Sequence, residues 1–174
     1  PPPPAPPPPP PPRFFFKAES GIRDRSPSRG LGDVYKRQGA NKSKKNIHNI
    51  SFSPQVSIYV TDDIQEARNR ERPHIAWYIG GMGVFYHEYM HRIGFGEESD
   101  KVKEAFDNRD RNRAAELVTD EMVEATTIIG TPGQCKEKMD MFFNLGVDEI
   151  RLVFNEDSTA KQGESMRSLA KYIN

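Results

Sequence analysis

The chain has 174 residues, 35% of them hydrophobic, and its 25 Lys plus Arg balance 25 Asp plus Glu to a formal net charge of zero. That length supplies one domain with a core of its own, while no stretch approaches the roughly 18 consecutive apolar residues of a membrane-spanning helix and the phenylalanines at 14–16 are too few for a signal-peptide core. A single cysteine, Cys135, excludes an internal disulfide or a thiolate metal cluster within one chain and points to a reducing cytoplasm.

The zero net charge hides two unlike parts. Residues 1–45 hold ten Lys or Arg against three Asp or Glu, leaving fifteen against twenty-two for residues 46–174. The first part opens on a near-pure proline run and continues through RFFFKAESGIRDRSPSRGLGDVYKRQ with no apolar periodicity. It is expected to be a disordered Pro-rich and basic tail. The proline run suits an extended polyproline helix that docks on aromatic grooves, which would make the chain a non-catalytic adaptor; RDRSPSRG could serve as a solvated basic arm. The reading taken here is that the tail is non-native. Proline and phenylalanine runs are what homopolymer nucleotide tracts encode, and GIRDRSPSRGLGDVYKRQ resembles translated cloning adaptor, which places the start of the native frame near Gly39 and sets the tail outside fold reasoning.

From residue 46 onward strand and helix signals alternate. QVSIYV (Gln55–Val60) is a β-branched run suited to a buried strand, and TDDIQEARNR follows with the acidic first turn of a helix. Pro73 is expected to punctuate that helix, and HIAWYIGGMG ends in glycines that a helix interior avoids. From Val84 a helical stripe runs through Phe85, Tyr86, Tyr89, Met90 and Ile93, and Gly94 ends it. Segments 98–108 and 111–118 read as further helices. TDEMVEATTII reads as another, capped by Thr119. Thr131 as N-cap, Pro132 at the first helical position and Gln134 as the capping-box acceptor predict a helix over TPGQCKEKMDMFFNLG that stops at Gly146. DEIRLVF then predicts a strand and GESMRSLAKYIN a terminal helix. Two strands cannot bury both faces of a parallel sheet, so the foldable part is expected to be the end of a larger α/β domain.

Four stretches, VSIYVTDDIQEAR, WYIGGMGVFYHEYMHRIGFGEE, AAELVTDEMVEATTIIGTPGQCKEKM and LGVDEIRLVF, together resemble the C-terminal portion of the luciferase-like monooxygenase family, across roughly residues 50–155. The resemblance implies an α/β fold, the C-terminal fragment of a (β/α)8 TIM barrel, mostly helical with two parallel strands: the seventh at Gln55–Val60 and the eighth at 149–154. It implies a flavin- or deazaflavin-dependent oxidoreductase or monooxygenase, with coenzyme F420 or FMN bound in the complete parent. A small-molecule substrate follows, with no nucleic-acid or membrane partner and room for a homo-oligomer. The catalytic residues are expected in the N-terminal strands, outside this chain, so the fragment is expected to be inactive alone.

Two groups of residues are candidates for chemistry. Tyr78, Gly80, Gly81, Met82 and Gly83 could line a cofactor or substrate pocket, because glycines let backbone approach a ligand closely; a plain break between helices is the favoured reading, since no phosphate-loop spacing accompanies them. HEYMHRIGFGE spells H-E-x-x-H-x-x-G-x-x-E, which defines the alternative of a zinc-dependent metallohydrolase with His87, His91 and Glu97 as ligands and Glu88 polarising a water. Against that, the apolar stripe points about 150° away from both histidines, as on an outer barrel helix with a wet side, and no metal is assigned. Trp77 is expected to pack in the core between Ile75 and Ile79. Cys135 is expected to be a small buried hydrophobe and not a nucleophile.

Overall fold

The computed structural model describes Lys42, Ser51 and residues 53–173. Apart from Lys42, the Pro-rich and basic tail assigned to residues 1–45 lies outside the described residues. The described elements run β1 (Gln55–Val60), α1 (Ile64–Gly81), α2 (Val84–Ile93), α3 (Gly96–Asp107), α4 (Arg111–Glu116), α5 (Asp120–Thr126), β2 (Thr127–Gly130), α6 (Pro132–Asn144), β3 (Arg151–Phe154) and α7 (Thr159–Ala170).

The α/β class and the helical majority are as expected, but three parallel strands are present rather than two. β1 lies in the middle, pairing Ser57 with Thr127 and Val60 with Gly130 on one side, and Gln55 with Arg151 and Ile58 with Phe154 on the other. The two strands foreseen from the sequence are therefore direct neighbours. The additional strand, β2, falls within TDEMVEATTII, where one helix was expected. Its cap is as read, with the Thr119 hydroxyl accepting from the Met122 N–H at 3.3 Å, but the helix stops at Thr126. Thr127, Ile128 and Ile129 favour extended backbone, and all four residues of β2 are buried against β1. Strand order is β2-β1-β3, whereas strands consecutive in the chain are neighbours around a closed (β/α)8 barrel.

That order places the helices. The crossover from β1 to β2 and the return crossover from β2 past β1 to β3 run in opposite directions across the sheet, so the right-handed rule sends their helices to opposite faces. Period-two alternation then splits the core. Val56, Ile58 and Ile128 face α6 and α7 through Cys135, Met139, Phe142 and Leu169. Tyr59 and Ile129 face α1 to α5 through residues such as Ile79, Val102 and Met122. Removing each such side chain from water stabilises the fold by roughly 1.5–3 kcal/mol before entropy is counted.

Helix α1 begins where Asp63 accepts from the Glu66 N–H at 3.0 Å, and it continues through Pro73 instead of ending there. Proline deletes one N–H and crowds the preceding turn, at a cost of about 3 kcal/mol. Here Pro73 and Asn69 both lie on the exposed side, where the freed carbonyl is open to solvent, while Ala67, Glu71, Ile75, Ala76 and Ile79 hold the opposite side in the core. Arg68 and Arg72 both reach Asp120, at 2.9 and 2.5 Å, Arg68 also pairs with Glu124, and Arg72 donates to the Val118 carbonyl at 2.6 Å. These contacts tie α1 to the start of α5. The α6 prediction holds at its start, with a Thr131–Gln134 capping box and Pro132 at the first position, while the helix closes at Asn144, two residues before Gly146. Gly94 also ends α2 as expected, in the left-handed conformation at φ 96°.

Candidate functional site

On the face of the sheet toward α1, the strands present polar side chains: Gln55, Ser57 and Tyr59 alternate along β1, and Asn155 follows β3. Opposite them, α1 carries Glu71 in the stripe otherwise formed by Ile64, Ala67, Ile75 and Ile79. Glu71 is 3% exposed, and a buried carboxylate must be satisfied by partners. The Tyr59 hydroxyl donates to its Oε2 at 2.9 Å, Asn155 Nδ2 donates to the same oxygen at 3.4 Å and to Ser57 Oγ at 3.2 Å, and His74 Nδ1 lies 3.1 Å from Oε1. The pair of carboxylate oxygens thus joins β1, β3 and α1.

A cleft of about 470 Å³ opens over this network, within the size range of small-molecule sites. Its floor holds Glu71 and Asn155 and its wall is aromatic, from Tyr78 on α1 and Tyr86 and Tyr89 on α2. Tyr78 meets Tyr86 edge-on with centroids 4.5 Å apart, and His74 at 4.7 Å. Burial and the adjacent Glu71 charge keep the Tyr59 phenol protonated well beyond its ordinary range. Burial does the same for Tyr89. The hydrogen bond to Glu71 raises the His74 pKa against the opposing effect of burial. The cleft therefore offers a carboxylate, an imidazole whose proton affinity is raised, and in Tyr89 a phenol that acts as a neutral donor or acceptor.

A second recess of about 410 Å³ lies at the C-terminal ends of β1 and β3, where Arg70, Glu156 and Lys161 meet. Both carboxylate oxygens of Glu156 are shielded from solvent and have no hydrogen-bond partner among the described residues. Ligands of parallel α/β folds occupy this end of the strands.

Of the glycine-rich candidates, the structure places Tyr78 in the cleft wall. Gly80 and Gly81 close α1 against Phe106 of α3: a β-carbon on Gly80 would stand 2.2 Å from Phe106 Cγ, and one on Gly81 3.1 Å from Cζ. Met82 and Gly83 join α1 to α2, with Gly83 at φ 77°. Trp77 is 47% exposed rather than core, because it is 200° around the helix from both Ile75 and Ile79. Phe85, grouped with the apolar stripe, is 64% exposed, whereas Tyr89, Met90 and Ile93 are buried. Cys135 is buried as expected, with its thiol pushed up to about 11 by that burial.

His87 and His91 converge on a carboxylate, but it is that of Asp100 and not Glu97. His87 Nε2 and His91 Nε2 lie 2.8 and 2.7 Å from the same Asp100 Oδ1. After Gly94 turns the chain, α3 starts at Gly96 directly against the His91 ring. Asp100 is one turn beyond Gly96 and faces the histidines, while Glu97 is rotated by 100° and exposed. Glu88 pairs with Arg92 at 3.4 Å.

The parallel sheet with helical crossovers and an acid-floored cleft of about 470 Å³ define the chain as an α/β protein. The family model of luciferase-like monooxygenases matches residues 24–149, and the chain belongs to that family. The match begins upstream of β1, within the segment read from sequence as tail. A Mycobacterium tuberculosis protein named as a coenzyme F420-dependent oxidoreductase is 29% identical over 147 residues, covering 82% of this chain and 40% of the relative. The coenzyme F420-dependent tetrahydromethanopterin reductase of Methanopyrus kandleri shares the fold with TM-score 0.60 and 19% identity, over 79% of this chain and 40% of that one. The chain thus spans about two fifths of the length of either relative. No described helix is long and apolar enough to cross a membrane.

The Glu71 network escaped the sequence reading. Its signal was present: a glutamate in the apolar stripe of an amphipathic helix, three residues before a histidine.

Proposed function

We propose that this chain supplies part of the coenzyme pocket of a luciferase-like oxidoreductase that uses coenzyme F420, with FMN as the alternative, and acts on a small molecule. The observation that carries the proposal is the family match over residues 24–149 together with a relative named for coenzyme F420. The described residues suit a flavin-like ring. Tyr78 and Tyr86 offer flat apolar surface, Asn155 and Glu71 offer amide and carboxylate groups at the floor, and the Glu156 carboxylate has no hydrogen-bond partner among the described residues at the strand ends. When bound, the reduced coenzyme supplies the hydride. Glu71 orients Tyr59 and Asn155, His74 holds a proton at the cleft rim, and the aromatic wall excludes water.

In this proposal the principal catalytic residues belong to strands that precede this chain in a longer parent, so hydride transfer requires the parent. Residues 1–45 remain proposed as non-native tail, with residues 46–174 as the C-terminal part of the barrel.

Two measurements test this. The genomic frame upstream of Gly39 should encode further βα units; native exons encoding the proline run would refute the tail reading. The parent should bind F420 or FMN with quenched coenzyme fluorescence and lose affinity on Tyr78→Ala. Binding of neither coenzyme to the parent would overturn the oxidoreductase assignment.

A further inference from the structure

The cluster at the α2–α3 turn is separate from the cleft and was built by different residues. Among the described residues it is the one group of three His, Cys, Asp or Glu side chains whose ligand atoms all lie within 4.8 Å of one another. We propose that His87, His91 and Asp100 form a binding site for a divalent transition metal, of the class represented by zinc, that staples α2 to α3.

Three features carry the proposal. First, His87 and His91 are four residues apart on one helix, so their imidazoles share a face, and both rings aim Nε2 inward at one point. Surface histidines placed for solvation alone have no reason to converge. Second, the third group comes from another helix, and the turn that delivers it is built for the purpose of close approach. Gly94 adopts φ 96°, Phe95 N–H returns to the Met90 carbonyl at 2.9 Å, and Gly96 has no β-carbon where one would stand 2.7 Å from His91 Nδ1. Third, the donor set is two imidazoles and one carboxylate, which suits zinc, nickel or copper over magnesium or calcium.

The geometry needs only a small adjustment. Zinc bonds of about 2.0–2.2 Å set tetrahedral ligand atoms about 3.3 Å apart, so each imidazole would retreat roughly half an ångström from Asp100 to admit the ion. The side chains of His91 and Asp100 are 43% and 58% exposed and free to make that move. Each imidazole would bind the ion as the neutral ring, through a proton-free Nε2 with its one proton on Nδ1. Three protein ligands leave a fourth position for water. Because α2 also bears Tyr86 and Tyr89, the staple fixes the aromatic wall of the cleft to α3.

The test uses the untagged full chain, stripped with chelator and titrated calorimetrically with zinc sulfate. One zinc per chain should bind with micromolar affinity, with a rise in unfolding temperature, while magnesium gives neither. His91→Ala and Asp100→Asn should each weaken binding at least tenfold, with native circular dichroism retained since both side chains are exposed. Glu97→Gln should bind as the native chain does. Saturable zinc binding that survives both His91→Ala and Asp100→Asn, loss of binding in Glu97→Gln alone, or no saturable binding at all would each overturn the site.

Discussion

Substituting Gly80 by alanine separates a glycine that serves packing from one that serves a ligand. An alanine β-carbon would lie 2.2, 2.4 and 2.5 Å from Phe106 Cγ, Cδ1 and Cβ, against the roughly 3.5–4.0 Å at which carbon atoms attract. The Phe106 ring cannot swing away freely: it is 8% exposed and stacked under the Arg111 guanidinium, 3.2 Å from the ring centroid. Helices α1 and α3 must therefore part. Overpacking of this kind costs about 1–3 kcal/mol. Alanine's greater helix propensity returns at most about 1 kcal/mol, and less at Gly80, one residue from the end of α1. The net expectation is a loss of roughly 1–2 kcal/mol. That lowers the thermal midpoint by about 3–10 °C for a domain of this size. Urea unfolding followed by circular dichroism should show a lower midpoint at unchanged slope. In a Phe106→Leu background the same substitution should cost less, since the two side chains share one space. A Gly80→Ala chain with a raised midpoint, or a cost untouched by Phe106→Leu, would refute the packing account.

The Glu71 network yields two more expectations, and Cys135 a third. His74 has a raised folded pKa, so its stabilisation is complete below the unfolded value of about 6.5 and fades as pH climbs through the folded value; its ring-proton NMR titration should inflect above the ordinary histidine value and return toward it in Glu71→Gln, and identical titrations would contradict the pairing. Tyr59→Phe removes the shorter of the two hydrogen bonds donated to Glu71 Oε2 and should destabilise by about 1.5–3 kcal/mol, a penalty that shrinks if Glu71 is already Gln; chemical denaturation of the four variants reads both. Cys135, with its thiol near 11 and its Sγ 3.3 Å from the Gly130 carbonyl, should react with a thiol reagent only as fast as the chain opens, and rapid native labelling would show that α6 does not seal it.

The parts legible in the sequence were those fixed by neighbours in the chain. The capping box of α6 needs only Thr131 and Gln134, and the left-handed end of α2 needs only Gly94. β1 announced itself by a β-branched run, and β3 by position after a helix stop. β2 was hidden because its four residues follow an acidic helical turn without a break, and extended backbone wins there only through pairing with β1, 70 residues earlier. Pro73 misled for a related reason, since local cost was outweighed by burial along the whole of α1. Asp100 was displaced by Glu97 because a sequence spacing assumes the helix that follows Gly94 presents its first carboxylate, whereas the close seat of Gly96 against His91 decides which turn faces back. Glu71 could have been noticed as a charge in an apolar stripe. Its partners could not, for Tyr59 and Asn155 reach it across 12 and 84 residues.

Strand register links the core to the cleft. On the face toward α6 and α7, β1 and β3 are apolar through Val56, Ile58, Leu152 and Phe154; on the other face they deliver Ser57, Tyr59 and Asn155 to Glu71. Because side chains alternate with period two, one pairing satisfies both faces at once. With Ile58 opposite Phe154, the next residues bring Tyr59 and Asn155 together over α1. A slip of β3 by a single residue would turn Phe154 toward the buried carboxylate and expose Asn155 to the apolar side, leaving Glu71 without its amide and the second core without its ring. The same burial that makes β3 a strand therefore holds the polar floor in place. A ligand that binds this floor draws on that register, and a substitution that loosens the face toward α6 and α7 should weaken the cleft without touching it.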